Sequence, residues 1–273
     1  MRQITNRTVE FGASDAPVKP EKLKKEKLLQ FPAIIGGVVP IINVPGVQKN
    51  TLKLSSEAIT KIFMGEITHW NDKLIAKENP NASLPNKKIT TVKRSDGSGT
   101  TAIFTNYLAS ANAEFEKKVG VGKSVKWPKG GVSAKGNEGV ANYVKRIKNS
   151  IGYVEYAYAK KNNLSYALLQ NKEGHYVAPT VESFKAAAAY AEWKPEENFY
   201  LWMVNAPGKD SWPVTGASFI LLGSEKAESN KKVTDFYDWC FKNGDQRAID
   251  ETYIPLPVSL KDKIRTYWSK NIH

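Results

Sequence analysis

Short apolar runs alternate along this chain with segments whose apolar residues recur at helical spacing. The short runs predict strands at 8–14, 32–44, 87–94, 151–159 and 213–223. The helical spacing predicts helices that begin near Glu21 and that span 55–65, 137–150, 226–243 and 259–270. Strands and helices in alternation predict an α/β fold with mainly parallel sheets flanked by helices.

The length of the chain and two stretches rich in proline and glycine predict a division into two lobes. A chain of 273 residues exceeds the usual size of a single domain. The stretches NVPGVQ (43–48) and NAPGKDSWPVTG (205–216) are the expected places where the chain crosses between lobes. We therefore predict a discontinuous lobe I of 1–45 and 211–273, a lobe II of 46–210, and two crossing strands.

The positive charge of the chain favours anionic partners, and its distribution argues against nucleic acid. The formal net charge is +13 and the pI is about 9.5. Lysine and glutamate are interleaved in segments such as KPEKLKKEKLLQ (19–30), and no arginine-rich arm is present, so we predict no nucleic-acid partner. The most apolar stretch, 31–46, is broken by glycine and proline, which is not typical of a membrane-spanning helix.

Metal ligands are few and scattered, so we predict no metal site and no cofactor. The chain has one cysteine, Cys240, which cannot form a disulfide within the chain. Its three histidines, His69, His175 and His273, form no ligand cluster.

Two short motifs resemble catalytic or nucleotide-binding loops but fail on spacing. VGVGKSV (119–125) contains Gly-Lys-Ser, yet Lys117 stands where a phosphate-binding loop requires its first glycine. A nucleophile elbow around Ser98 would require glycine at position 96, which is Asp96. We therefore predict that the protein is not an enzyme.

The stretch TVKRSDGSGTTAIFTNYLAS (91–110) places a strand end and small residues directly before a helical pattern. The first N–H groups of a helix have no partner within the helix, and the helix dipole is positive there. Gly97 and Gly99 leave the backbone open to a ligand, and Ser98 and Thr100 add hydroxyl groups. Arg94 adds a planar guanidinium that suits an oxyanion. We interpret this stretch as an anion cradle; the alternative is a plain helix cap at Ser98.

A second candidate lies in TVEFGASDAP (8–17), where a predicted strand ends at Ser14 and Asp15. A carboxylate repels an anion that has no proton, but it accepts a hydrogen bond from an anion that keeps one. Hydrogen phosphate keeps a proton near neutral pH and sulfate does not, so Asp15 would favour phosphate partly by repelling its competitor. The alternative interpretation of Asp15 is a turn or cap residue.

Six motifs in this order resemble one family along essentially the whole chain from Thr8. They are TVEFGASDAP, FPAIIGGVVPIINVPG, ITKIFMGEITHWND, VKRSDGSGTTAIFTNYL, KGNEGVANYVKRIKNSIGYVEYAYA and WPVTGASFILL. The chain resembles the periplasmic phosphate-binding proteins of bacterial ABC phosphate-uptake transporters. The resemblance implies a two-lobed α/β clamp that holds inorganic phosphate in the cleft between its lobes. It also implies delivery to membrane permease subunits, no chemical turnover and a location in the periplasm.

The resemblance also assigns roles to residues of this chain. Asp15 is expected to accept the phosphate proton, and Ser14 beside it is expected to bind phosphate as well. The phosphate oxygens are expected to bind to Arg94, Ser98, Gly99 and Thr100. Asp96 is expected to hold the arginine, with Gly97 as a second supporting residue.

The chain departs from the family at its start. Members normally carry a further strand–helix–strand segment with phosphate donors before the TVEFGASDAP motif, and only seven residues precede Thr8 here. We expect weaker phosphate binding and an uncovered sheet edge that favours self-association. Two alternatives are a paralogue that has lost phosphate and serves as a surface or interaction protein, and a phosphoryl-transfer enzyme. The enzyme would need a metal or nucleophile cluster, for which we find no motif.

Overall fold

The computed structural model describes residues 1–272 and has an α/β fold, as the alternating pattern predicts. The strands are β1 (Gly12–Ser14), β2 (Leu28–Asn43), β3 (Lys53–Leu54), β4 (Thr90–Arg94), β5 (Val132–Ala134), β6 (Ser150–Glu155), β7 (Ser165–Tyr166), β8 (Leu168–Gln170), β9 (Tyr176–Val177) and β10 (Thr215–Gly223). The helices are α1 (Arg2–Thr5), α2 (Pro20–Lys25), α3 (Ser56–Met64), α4 (Lys73–Glu78), α5 (Gly99–Ala111), α6 (Ala113–Lys118), α7 (Gly136–Arg146), α8 (Tyr156–Lys161), α9 (Val181–Ala188), α10 (Ala227–Asn243), α11 (Asp245–Asp250) and α12 (Val258–Asn271). A short 3₁₀ turn spans Pro195–Glu197.

The described chain divides into two compact units. Unit 1 consists of Met1–Gly36, Ala191–Met203 and the residues from Gly216 to the end of the described chain, and unit 2 consists of Gly37–Tyr190 and Val204–Thr215. The predicted lobe boundaries, 1–45 with 211–273 and 46–210, differ from this division chiefly in segment 191–203, which belongs to unit 1. The assignment of functional lobes stays a prediction.

Unit 1 is built around strand β10 and the helices that follow it. The edge strand β1 pairs antiparallel with β10, with Gly12 opposite Leu221 and Ser14 opposite Phe219. Leu221 lies in a small core with Ile4 of α1 and Leu23 of α2. The residues before β1 are therefore packed into unit 1, although β1 is shorter than the predicted strand 8–14.

The sheet of unit 2 is mixed, where the pattern predicts a mainly parallel one. Strand β4 is parallel to β5 and β6, as the intervening helices require. The second half of β2, residues 38–43, enters this unit without a helical crossover and pairs antiparallel with β6. A small second sheet orders β3, β8 and β9, with β8 and β9 antiparallel. The α/β class is confirmed and the strand direction is corrected.

Two features of unit 2 set the position of α5 and α7 on the sheet. Gly152 of β6 lies against α7, because a Cβ there would come within 2.8 Å of Val140 and 3.0 Å of Val144. Phe104 of α5 stacks on Tyr153 of β6 with ring centroids 4.4 Å apart. Each helix begins just after the carboxyl end of the strand before it, which is β4 for α5 and β5 for α7. Arg94 of β4 and Ala134 of β5 are paired at these two ends, so the two helix starts lie at the same edge of the sheet.

Each predicted helix is present, with shifts of a few residues at its ends. The N-cap of α3 is Ser55, whose Oγ accepts from the N–H of Ala58 at 3.1 Å. Gly65 ends α3 in the left-handed conformation, as its position predicts. Across residues 1–272, every helix is too short or too polar to cross a bilayer.

Candidate anion-binding site

The connection between β4 and α5 leads from the end of a parallel strand into the first turn of a buried helix. Ser98 is the N-cap of α5, and its Oγ accepts a hydrogen bond from the N–H of Thr101 at 3.2 Å. The N–H of Ser98 donates to the carbonyl oxygen of Lys123 at 2.8 Å. No acceptor within residues 1–272 uses the hydroxyl proton of Ser98. The cap interpretation of Ser98 is thus correct, and it leaves a donor for a ligand.

Gly99 and Thr100 supply two further donors at the same place. They are the first two residues of α5, and neither backbone N–H has an acceptor in the described part of the chain. A Cβ added at Gly97 would meet no heavy atom within 4 Å, so the space beside the helix start is open. Free N–H groups and the positive end of the helix dipole together favour an anion.

Arg94, the last residue of β4, is held in a fixed orientation next to these donors. Its Nε donates to Oδ1 of Asp96 at 2.8 Å, and its Nη2 donates to Oδ2 at 2.6 Å. Its Nη1 donates to Oδ1 of Asn137 at 3.2 Å. The arginine side chain is only 8% exposed. Of the five N–H donors of a guanidinium, two therefore remain without an acceptor in residues 1–272.

Asp96 remains ionised over the whole physiological range. The hydrogen bonds from the Arg94 guanidinium, reinforced by the N–H of Gly136, hold the pKa of the Asp96 carboxyl well below its usual value, against an opposing effect of burial. The pair is therefore neutral as a whole. The positive end of the α5 dipole therefore adds to the attraction for an anion at this place.

Two residues that the sequence interpretation did not single out complete this arrangement. Asn137 belongs to the first turn of α7, and its Oδ1 also lies 3.5 Å from Oγ1 of Thr100. The hydroxyl of Tyr153 accepts from the N–H of Arg94 at 3.4 Å and shares a 2.9 Å hydrogen bond with Thr101. Burial raises the pKa of Tyr153, so it remains a neutral phenol. The segment KGNEGV, which starts a helix after a strand, is the sequence signal that could have identified Asn137.

Asp15 and Ser14 lie in unit 1, at the end of β1. Oδ1 of Asp15 accepts a hydrogen bond from the hydroxyl of Ser218 on β10 at 2.6 Å. Oδ2 of Asp15 has no donor within residues 1–272 and the side chain is half-buried. The Ser14 hydroxyl donates to the carbonyl oxygen of Ala16 at 2.7 Å and stabilises the turn that follows β1.

The structure brings six predicted site residues together in unit 2 and places the remaining two together in unit 1. The six are Arg94, Asp96, Gly97, Ser98, Gly99 and Thr100. His69 and His175 are exposed, and His273 lies outside the described residues. In residues 1–272, no group of three or more histidine, cysteine or acidic side chains is arranged to hold a metal ion.

Comparison with known proteins shows the same family along the whole chain. A model of the PBP superfamily domain matches residues 1–243. The chain is 53% identical over 273 residues to the phosphate-binding protein PstS of Pasteurella multocida, covering 99% of this chain and 79% of that protein. It is 38% identical over 272 residues to the phosphate-binding protein PstS of Methanocaldococcus jannaschii, covering 91% and 70%.

Solved structures share the fold at lower sequence identity. One is a high-affinity periplasmic phosphate-binding protein, PfluDING, bound with phosphate, with a TM-score of 0.74, 20% identity, and coverage of 94% of this chain and 78% of that one. Another is the phosphate-binding protein of Stenotrophomonas maltophilia, with a TM-score of 0.71, 17% identity, and coverage of 97% and 83%. These likenesses confirm the predicted fold.

Proposed function

Because this chain belongs to the PstS family of phosphate-binding proteins, we propose that it binds inorganic phosphate and delivers it to the permease subunits of an ABC phosphate-uptake transporter. The protein works in the periplasm, in line with the periplasmic phosphate-binding protein that shares its fold. Its ligand is a small tetrahedral anion, which suits a cluster of single N–H and O–H donors better than a flat or extended ligand does.

The observation that carries this proposal is the set of unused donors around the start of α5. Arg94 contributes two free N–H groups from a buried guanidinium. Gly99 and Thr100 contribute free backbone N–H groups, and Ser98 contributes a free O–H. Buried donors are nearly always satisfied in folded proteins, so a cluster of unsatisfied ones in a single segment supports a bound acceptor.

Asp15 supplies the preference for phosphate over sulfate. Its free Oδ2 accepts the proton that hydrogen phosphate retains, while Ser218 holds the other oxygen. A fully deprotonated sulfate would meet the same carboxylate as a repelling charge. Ser14 supports this residue through the turn it closes with Ala16, and Gly97 keeps the approach to the helix start open.

The protein binds its ligand and releases it without turnover. The relatives at high identity are substrate-binding proteins rather than enzymes. A phosphatase assay with added magnesium tests this proposal directly, because hydrolysis of a phosphate ester above the blank would require a catalytic site.

Isothermal titration with phosphate at neutral pH, with sulfate as the control anion, tests the function. Phosphate binding at micromolar affinity or tighter without sulfate binding is the expected result. A folded sample that gives no heat with either anion would contradict the proposal and favour a paralogue that acts as a surface or interaction protein.

The edge of unit 1 is a place where a second copy of the chain can pair. Strand β1 lies at the edge of its sheet, and open edges of this kind pair readily with another chain. Phe11 beside it is 39% exposed, and Phe236 and Trp239 of α10 are 53% and 61% exposed. We propose that these aromatic side chains and the edge strand form a self-association surface.

A further inference from the structure

We propose that Asn137 is a positioning residue of the anion site, which fixes the Arg94 guanidinium to the first turn of α7 without adding negative charge. This inference rests on the proposed phosphate function. It assigns a role to a residue that the β4–α5 motif does not contain.

Three groups that can donate lie within hydrogen-bond distance of the side-chain oxygen of Asn137. Arg94 Nη1 lies 3.2 Å from Oδ1, the backbone N–H of Glu155 lies at 3.4 Å, and Oγ1 of Thr100 lies at 3.5 Å. Because Arg94 Nη1 and the backbone N–H can only donate, the amide must present its oxygen to them and its NH₂ group elsewhere. The orientation of Asn137 is therefore determined by its surroundings.

Asp96 is tied to the first residue of α7 by the N–H of Gly136, but it bonds only the Nε and Nη2 side of the guanidinium. Asp96 lies only two residues after Arg94, and its side chain is 30% exposed. Asn137 holds the opposite part of the guanidinium from α7, which packs closely on β6 at Gly152. A planar group held at three of its donors from two elements loses little conformational entropy when an anion binds to its two free donors.

A neutral acceptor matters at this position because of the charges around it. The hydrogen-bond partners of the Asn137 oxygen are the Arg94 guanidinium, the backbone N–H of Glu155 and the Thr100 hydroxyl. The Asp96 carboxylate bonds the same guanidinium and accepts from the N–H of Gly136, the residue before Asn137. Aspartate at position 137 would accept the same hydrogen bonds, but it would place a second carboxylate around one guanidinium. The like charge would then oppose a bound anion, and would oppose a dianion more than a monoanion.

The test compares phosphate titrations of the natural chain, Asn137→Ala and Asn137→Asp. Asn137→Ala is expected to bind phosphate about tenfold more weakly, or ~1.4 kcal/mol. Asn137→Asp is expected to lose phosphate affinity by about the same factor at about pH 6. At about pH 8 the loss of affinity should be clearly larger, because phosphate becomes a dianion. The matched control is Asn112→Ala, which removes the N-cap of α6, where Oδ1 accepts from the N–H groups of Glu114 and Phe115. It should lower the melting temperature and leave phosphate affinity unchanged.

A second measurement does not depend on phosphate. In the ligand-free protein, the Nε–H of Arg94 is expected to give a resolved NMR signal that exchanges slowly with water in the natural chain and in Asn137→Asp. In Asn137→Ala the signal should broaden or exchange faster, because one of the two anchors is lost. An unchanged Arg94 signal in Asn137→Ala would overturn the inference, whatever the protein binds. Failure of the natural chain to bind phosphate would overturn only the proposed function.

An unchanged affinity in both variants, with a natural chain that binds phosphate, would also overturn the inference. Equal losses in Asn137→Asp at both pH values would show that charge at this position is irrelevant, which contradicts the proposed reason for a neutral residue.

Discussion

Arg94 and Asp96 form a bidentate ion pair in which Nε donates to Oδ1 at 2.8 Å and Nη2 donates to Oδ2 at 2.6 Å. In the ligand-free protein, Asp96 neutralises the charge of the buried arginine. It also holds the unused N–H groups of the guanidinium in one orientation. An anion that binds there gains charge-assisted hydrogen bonds to a group that is already ordered.

Replacement of Arg94 by lysine should weaken phosphate binding by about a hundredfold or more, since two charge-assisted hydrogen bonds are at stake. Lysine keeps the charge but lacks the planar fork that bonds Asp96 and a ligand at once. Titration calorimetry measures the loss. Arg265→Lys is the matched control, because Arg265 also pairs with two aspartates, Asp238 and Asp262, in unit 1. Equal affinities for Arg94→Lys and the natural chain would contradict the proposed site.

Ser98→Ala should affect both stability and binding. The substitution removes an N-cap, which costs roughly 0.5–2 kcal/mol, and it also removes a hydroxyl donor from the proposed site. Ser55→Ala removes the equivalent cap of α3, where Oγ accepts from the N–H of Ala58. Denaturant unfolding should show similar losses for the two variants. Only Ser98→Ala should weaken phosphate binding. If Ser55→Ala bound phosphate as weakly as Ser98→Ala, the loss would reflect lower stability rather than a lost ligand contact.

Asp15→Asn should reduce the discrimination between phosphate and sulfate. The amide of asparagine no longer repels sulfate, so the ratio of the two affinities should fall by about tenfold or more. Competition titrations with both anions measure this ratio. Ser218→Ala removes the hydrogen bond to Asp15 and keeps the charge, so it should preserve the preference. If Asp15→Asn kept the same ratio of phosphate to sulfate affinity, Asp15 would be only a turn or cap residue.

The sequence allowed the contiguous part of the site to be predicted because its chemistry is local. Arg94, Ser98 and Gly99 lie within six residues, and a strand end followed by a helix start can be recognised without a fold. Asn137 is 43 residues from Arg94, and Ser218 is 203 residues from Asp15. Only the pairing of β4 with β5 and of β1 with β10 brings these partners together. No local pattern contains that information.

The fold, like the site, could be predicted from the sequence only where the signal is local. Apolar periodicity predicts that β2 and β10 are buried strands, because burial acts on each residue of a strand. Strand direction depends instead on the path of the chain between strands. Residues 38–43 of β2 pair antiparallel with β6, and this pairing makes the sheet of unit 2 mixed rather than mainly parallel. Nothing within the sixteen residues of β2 distinguishes the two directions.

Acid should destabilise the ligand-free protein partly through Asp96. The pKa of Asp96 is lower in the folded state than in the unfolded state, so its contribution is fully present above the unfolded pKa. That contribution is lost progressively as the pH falls below about 5 and through the lowered folded-state pKa. Asp96→Asn should therefore show a flatter decrease in the free energy of unfolding below about pH 5.

Urea denaturation at a series of pH values measures this difference. The Glu225 carboxyl, whose pKa the Arg7 guanidinium lowers to about 2, contributes a second acid-sensitive pair and leaves some slope in Asp96→Asn. Glu225→Gln is the matched control, and because that side chain is 49% exposed its effect should be smaller. Parallel pH profiles for the natural chain and Asp96→Asn would contradict the role of the Arg94–Asp96 pair in stability.

Self-association should depend on the aromatic side chains of α10. Phe236→Ser combined with Trp239→Ser removes the two most exposed aromatic side chains of α10 without touching the core. Sedimentation velocity over a range of concentrations should show a dimer for the natural chain and a monomer for the double variant. Tyr143→Ser, which removes an aromatic side chain 45% exposed on α7, should leave the dimer intact.

The net charge of +13 opposes association of two copies, so the dimer should strengthen as salt is added. A natural chain that remains monomeric at high salt and high concentration would show that this surface does not bind a second copy.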